Sequence, residues 1–204
     1  VSTFSWPTND IAFSLAGAVW QPRTYSNESD SPLNGDVQTS ARVGSRWGWR
    51  LNFFDQTFAE RRRLIAFLER LNGREHRISL IDPVTPTPQG TIALSGVTMN
   101  VTAPQFGTQV QLANCGAGAT IKRGDWLKLA TGQAVKAVLD ATADGSGVMT
   151  VTVRNILRAA VAAGAAVTTA DVAALYVLAD ANWSASYNGS HAEPFSIDLV
   201  EVFS

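Results

Sequence analysis

Between Arg46 and Pro83 the hydrophobic and polar positions follow two periods in succession. Trp47, Trp49, Leu51 and Phe53 alternate with Arg46, Gly48, Arg50 and Asn52, the period of two expected of a strand with one buried face. Thr57 is followed three residues later by Glu60, the spacing of a capping box, so a helix starts here. Phe58, Leu64, Ile65, Phe67, Leu68 and Leu71 fall on one half of a 3.6-residue wheel, and Arg62, Arg63, Glu69 and Arg70 on the other. The pattern predicts a helix over 58–71 whose apolar half packs on the sheet. Asn72-Gly73 ends it, and Ile78, Leu80 and Ile81 form a second strand stopped by Asp82-Pro83.

Before this unit, Ile11 to Trp20 alternates as a strand, and Arg23 to Gly35 reads as an exposed loop with only Tyr25 and Leu33 as apolar anchors. Val37 to Ser40 is a short strand. After Asp82, three prolines interrupt the chain, and residues 91–172 become rich in Ala, Thr, Val and Gly. Short apolar runs at 92–101, 109–112, 126–129, 134–139, 148–153 and 166–168, separated by turn signals, predict a small antiparallel barrel inserted in the first domain. Ala159 to Ala166 carries no assignment. Leu175 to Ala179 begins a strand that Trp183 to Tyr187 extends, and the strands from Phe195 to Phe203 return to the first sheet. The expected organisation is mainly β with one helix: a discontinuous domain of residues 1–90 with 173–204, and an inserted barrel of residues 91–172.

The 204 residues are 46% hydrophobic and 16% charged with a formal net charge of -1, so the field of the whole molecule favours neither polyanions nor cationic partners. One cysteine, Cys115, excludes an internal disulfide framework and a multi-cysteine metal site. Val1 to Asp10 has no basic run followed by an apolar one, and no 18 consecutive residues are apolar, so a soluble, unsecreted protein is expected.

Candidate chemistry is sparse. His76, His191 and Cys115 lack the spacing of a zinc site or of a nucleophile with its base. Asp125, Asp140 and Asp144, or Asp198 and Glu201, read better as turn and structural carboxylates than as acid–base pairs, and Asp140 to Gly147 lacks the ligand alternation of a calcium loop. No enzyme, cofactor or metal is expected. Arginines concentrate in and around the central unit, which suggests a nucleic-acid face, but Glu60, Glu69 and Glu75 interleave with them as on a solvated helix. Arg61 projects among Leu64, Ile65 and Leu68, where it either snorkels or meets a carboxylate, and an ion pair between subunits would suit it. Trp126 in the insert raises a carbohydrate-binding alternative, and Trp6 and Trp183 lie near exposed segments.

A family resemblance orders these pieces. Ser31-Pro32-Leu33-Asn34-Gly35 with Gln38, Gly44-Ser45-Arg46-Trp47, Leu71-Asn72-Gly73, Leu80 with Asp82-Pro83, and Pro88 with Gly90 resemble minor tail proteins of long-tailed bacteriophages, in particular distal tail proteins of the tail tip. Phe195-Ser196-Ile197-Asp198 and Glu201-Val202-Phe203 are similar as well, and Gly124-Asp125-Trp126 and Asp140-Ala141-Thr142-Ala143 match loosely. The resemblance implies a β-sandwich or split-barrel ring domain with a helix across it and the insert projecting. It also implies a homo-oligomeric ring, a hexamer favoured over a trimer, between the tail tube protein and the hub or baseplate protein, with the tape measure protein a further neighbour. The protein would be assembled in the host cytoplasm and reside at the virion tail tip, with no membrane partner and nucleic acid disfavoured. Arg46, Arg50, Arg61, Arg62, Arg63, Arg70, Trp6, Trp183, Tyr25 and Leu33 are then the candidate subunit interface, with Arg61 the first residue to mutate.

Overall fold

Two hydrophobic cores, one under a sheet drawn from both ends of the chain and one inside a barrel, organise the computed structural model. It describes residues 1–7, 17–24, 26–30, 37–41, 44–54, 56–188 and 191–203. The elements before the insert are β1 (Thr3–Ser5), β2 (Ala18–Trp20), β3 (Ser26–Asp30), β4 (Val37–Ala41), β5 (Gly48–Phe53), α1 (Phe58–Arg70) and β6 (Arg77–Ile81). Then come β7 (Thr98–Met99), β8 (Gln109–Ala113), β9 (Thr120–Ile121), β10 (Trp126–Leu129), β11 (Ala134–Ala137), β12 (Ala141–Thr142), β13 (Met149–Arg154) and β14 (Val167–Thr168). The chain closes with β15 (Ala173–Leu178), β16 (Tyr187–Asn188), β17 (His191–Ala192) and β18 (Phe195–Glu201).

The first sheet has the order β1-β6-β15-β18-β5-β2, with β1 parallel to β6 and its other pairs antiparallel. Register places Trp49, Leu51 and Phe53 opposite Leu199, Ile197 and Phe195, so one face is continuous apolar surface. That face receives α1, whose Leu64 and Leu68, with the C-cap residue Leu71, are fully buried. The helix starts where Thr57 and Glu60 exchange hydrogen bonds, the Thr57 N–H donating to Glu60 Oε2 at 2.8 Å and the Glu60 N–H to Thr57 Oγ1 at 3.3 Å. Asn72 and Gly73, with φ of 48° and 65°, supply the left-handed turn that ends it. One wheel position departs from expectation, Phe58 in the first turn being exposed, while Arg61 is fully buried among the apolar residues where the wheel places it.

The insert is an antiparallel sheet ordered β14-β10-β11-β13-β8-β7. Its two ends meet, because Thr98 bridges Ala166 and the Val167 N–H donates to the Val97 carbonyl at 3.0 Å. The sheet thus closes into a small barrel filled by Leu112, Leu127, Val135, Val151 and their neighbours. β9 and β12 form a separate two-stranded ribbon, too short to leave a periodic signal in the sequence. Of the run 92–101 only Thr98 and Met99 are strand.

Three expectations change. The polar run 23–35 is not loop throughout, since β3 within it pairs with β4 in a hairpin, and backbone pairing of this kind needs no apolar alternation. Trp183 to Tyr187 does not extend β15; the chain turns irregular there, and β16 pairs with β17 instead. The strand expected from Ile11 to Trp20 is found as β2 alone, residues 11–16 lying outside the described ones.

The insert is anchored at its entrance by Asp125, which is almost fully buried. Its carboxylate accepts the N–H groups of Gln89 and Lys122 at 2.8 Å and of Gly90 at 3.2 Å. Gly90 is obligatory there, since a Cβ would stand 2.1 Å from the Thr120 carbonyl oxygen. At the exit, the Asp171 N–H donates to the Pro86 carbonyl at 2.8 Å, so the segments that enter and leave the barrel lie side by side.

Truncating Leu68 to Ala should cost about 2–5 kcal/mol, as expected of a buried leucine with little room to relax, whereas Thr57→Ala at the cap should cost about 1 kcal/mol. Urea denaturation of the two variants checks that order; equal losses would mean the helix is not held by its buried face.

Candidate functional site

The arginines that stand together in the sequence are divided among several places. Arg62, Arg63 and Arg70 are exposed on α1, and the Arg70 guanidinium lies 4.0 Å from the centre of the Phe4 ring. Arg50 alternates with the buried residues of β5 and so lies on the opposite face of the sheet from the helix. There it makes a two-pronged pair with Asp198 at 2.8 and 2.9 Å, which holds the Asp198 carboxyl below its usual range. Arg46 bridges Arg23 through the backbone and sits 4.6 Å from the centre of the Phe203 ring.

Arg61 requires a correction. It is fully buried in its own subunit, its guanidinium donating to the Glu193 carbonyl and lying 5.1 Å from the centre of the Phe195 ring. It ties α1 to the segment before β18 and presents nothing to a neighbour. Trp6 is likewise core, stacked on Phe53 at 6.1 Å and edge-on to Phe67 at 5.3 Å. Trp183 is half-buried against Phe195. Tyr25 and Leu33 lie outside the described residues.

Where the first sheet meets the barrel, three tryptophans converge. Trp20 lies 4.8 Å from Trp47 and 5.3 Å from Trp126, and Trp47 lies 5.2 Å from Trp126, with the two contacts of Trp126 edge-to-face. The Trp126 indole N–H donates to Asp82 Oδ2 at 2.6 Å, and that of Trp47 to the Ala134 carbonyl at 3.3 Å. The Lys136 ammonium sits 4.9 and 5.0 Å from the Trp20 and Trp126 rings. Its pKa is lowered by burial, against the opposing pull of Asp82 and Asp125. Trp126 is only 6% exposed, so it has no open face for a sugar, which counts against the carbohydrate-binding alternative, and it serves the joint instead.

Beside this joint lies Glu201, nearly fully buried. Its carboxylate accepts the Trp47 N–H at 3.0 Å and the Arg158 guanidinium at 3.1 Å. The same Arg158 nitrogen reaches the Ser45 carbonyl at 3.3 Å, and the guanidinium covers Phe203, 3.0 Å from the ring centre. Burial lowers the Arg158 pKa and raises that of Glu201, in each case against the attraction of the partner. In front of the pair opens a cleft of about 670 Å³ between sheet and barrel, lined by Arg46, Arg154, Arg158, Phe106, Ile156 and Phe203 among others. Arg154 and Arg158 were not singled out in the sequence. Their signal was available, since they are arginines in a charge-poor segment, but their convergence on Arg46 depends on how the barrel is docked.

The remaining chemical candidates serve architecture. Cys115 is buried in the barrel, which pushes its thiol up to about 11. Asp144 holds its own turn, accepting from Ser146 Oγ at 2.6 Å and the Val148 N–H at 3.0 Å, and Asp140 accepts the Arg123 N–H at 2.8 Å. His76 packs edge-on against Phe4 at 5.5 Å. For His191 only the backbone pairing to Asn188 is described. Among the described residues no three His, Cys, Asp or Glu side chains gather in a metal-binding group. A scan of the chain against models of known protein families finds no match, and neither does a search among curated proteins.

Two outcomes follow. Arg61→Glu should destabilise the isolated subunit by on the order of 3 kcal/mol or more, because a carboxylate would be buried against a carbonyl oxygen; urea denaturation of the monomer reads this, and an unchanged midpoint would return Arg61 to the surface. Glu201 binds its proton more tightly folded than unfolded, so its contribution is largest below the ordinary glutamate range and is lost as pH rises through the raised folded value. Glu201→Gln should flatten that fall in stability, and a carboxyl titration by NMR should find the Glu201 midpoint above the ordinary value.

Proposed function

We propose that this chain is a structural subunit of a bacteriophage tail tip, forming a homo-oligomeric ring that joins the tail tube to the central hub or baseplate. Six copies are favoured over three. The observation that carries the reading is where the residues of the resemblance lie. Asp82 receives the Trp126 indole, Asp125 and Gly90 fix the entrance of the barrel, and Ser45 and Glu201 meet Arg158 at its side, Glu201 also accepting the Trp47 N–H. The ordered motifs, scattered along the chain, thus converge on the joint that would hold an appended domain on a ring subunit. The mainly β architecture with one helix across a sheet agrees with that role. Interfaces between such subunits would use exposed elements, among them Arg62, Arg63 and Arg70, rather than Arg61.

The nucleic-acid alternative is weakened by the same geometry. The arginines occupy opposite faces of the first domain and one is internal, so they form no single basic stripe.

Native mass spectrometry of the purified chain should give a closed assembly, at six times the 21.8 kDa subunit mass for the favoured hexamer. Immunogold labelling should mark the tail end of virions; label on the capsid, or virions without the protein, would sink the reading.

A further inference from the structure

The cleft between sheet and barrel concentrates positive charge, with no acidic residue among the described residues that line it. Arg46, Arg154 and Arg158 line it, and Glu201 is buried behind Arg158 and already paired with it. One carboxylate against three guanidinium groups leaves the site with a surplus of positive charge. Arg46 and Arg158 repel one another at this spacing, and burial adds to the cost of keeping Arg158 charged. A concave wall of one sign focuses its field and favours an incoming anion. The cleft also has apolar ground. Phe106 is 56% exposed, and Ile156 and Phe203 complete the wall. At about 670 Å³ it is in the range of clefts that bury short ligands.

The chain itself carries a segment of matching character. Residues 24–41 hold Glu28, Asp30 and Asp36 with no lysine or arginine, and include the apolar Tyr25 and Leu33. This segment contains the β3–β4 hairpin, which pairs with no other described strand. An isolated two-stranded hairpin is marginally stable in water and gains from a further surface. Its root lies at the rim of the cleft, where Thr24 and Gly44 contribute to the lining and Arg23 bridges Arg46. Five register pairs run from Ser26 to Asp30, so at about 3.4 Å per residue the ladder extends about 14 Å from its root at the rim of the cleft.

We propose that the arginine cleft receives the acidic segment of residues 24–41 from a second copy of the chain. The carboxylates would pair with Arg46 and Arg154, neither of which is hydrogen-bonded to Glu201, and the apolar residues of the segment would lie on Phe106 and Ile156. Such an exchange is heterologous, each copy giving its hairpin to one neighbour and receiving another's, the geometry that generates closed rings. The proposal rests on the self-association of the preceding reading and names the contact that would drive it.

The test uses a fluorescein-labelled peptide of residues 24–41 titrated with the full chain and read by anisotropy. Saturable binding is expected, weakening as salt rises and falling about tenfold in Arg154→Gln, the loss of one charge-assisted hydrogen bond. A peptide with Glu28, Asp30 and Asp36 replaced by their amides should fail to bind. Arg154 is exposed, so the variant should melt with the parent protein, and that melting curve is recorded alongside. No binding, binding unchanged in both Arg154→Gln and Arg46→Gln, or equal binding of a peptide with the same residues in scrambled order would overturn the proposal. Native mass spectrometry of the parent chain separates the two readings: rings without peptide binding would remove this contact and keep the ring. Arginine-dependent peptide binding in a chain that never closes into rings would keep the cleft and remove the ring.

Discussion

The hydrogen bond from the Trp126 indole to Asp82 is the constraint on which the arrangement of the two cores depends. Asp82 is the residue at which the chain leaves the first sheet, and Trp126 is the first residue of β10, in the wall of the barrel. The same carboxylate that receives the indole also accepts the Val84 N–H at 2.8 Å, so the turn out of the sheet and the seat of the barrel share one group. Around it, Trp20 and Trp47 close the apolar side and Lys136 covers the polar one. Water is kept from a bond that would be worth little if it were exposed.

Charge is used inside this molecule as much as on it. Arg61, Arg158, Glu201, Asp82 and Asp125 are each wholly or partly buried, and each has backbone or aromatic partners that offset part of the cost of leaving water. This changes what an arginine-rich helix means. Arg61 lies on the apolar side of α1, where it links the helix to the Glu193 carbonyl, so the cation serves packing between elements. Among the described residues, charges available to a partner include those on the outer face of α1, at Arg62 and Arg63, and those in the cleft.

Legibility in the sequence followed the range of the forces involved. The capping box of Thr57 and Glu60, the alternation from Trp47 to Phe53 and the turns at Asp144 and Thr131-Gly132 are local, and all were readable. The barrel was readable as a class because its strands are punctuated by turn residues. β9 and β12 were not, because two-residue pairings carry no period, and β3 was not, because the pairing of a polar hairpin is a backbone property. The candidate site suffered most. Glu201 and Arg158, or Asp82 and Trp126, are separated by 43 and 44 residues, and no local pattern announces such partners. Trp126 left a carbohydrate-binding alternative open for the same reason: an aromatic at the start of a strand does not declare what will cover it.

The two strands flanking the insert have a further meaning. Ile81 at the end of β6 stands opposite Ala173 at the start of β15, and just beyond them Asp171 is bonded to Pro86. To the first sheet, the whole excursion from Asp82 to Val172 is equivalent to a hairpin turn. A lineage of such chains is therefore free to lose the barrel, enlarge it or exchange it for another module without altering the register of any strand in the sheet, provided that the aromatic floor beneath Trp126 is covered again.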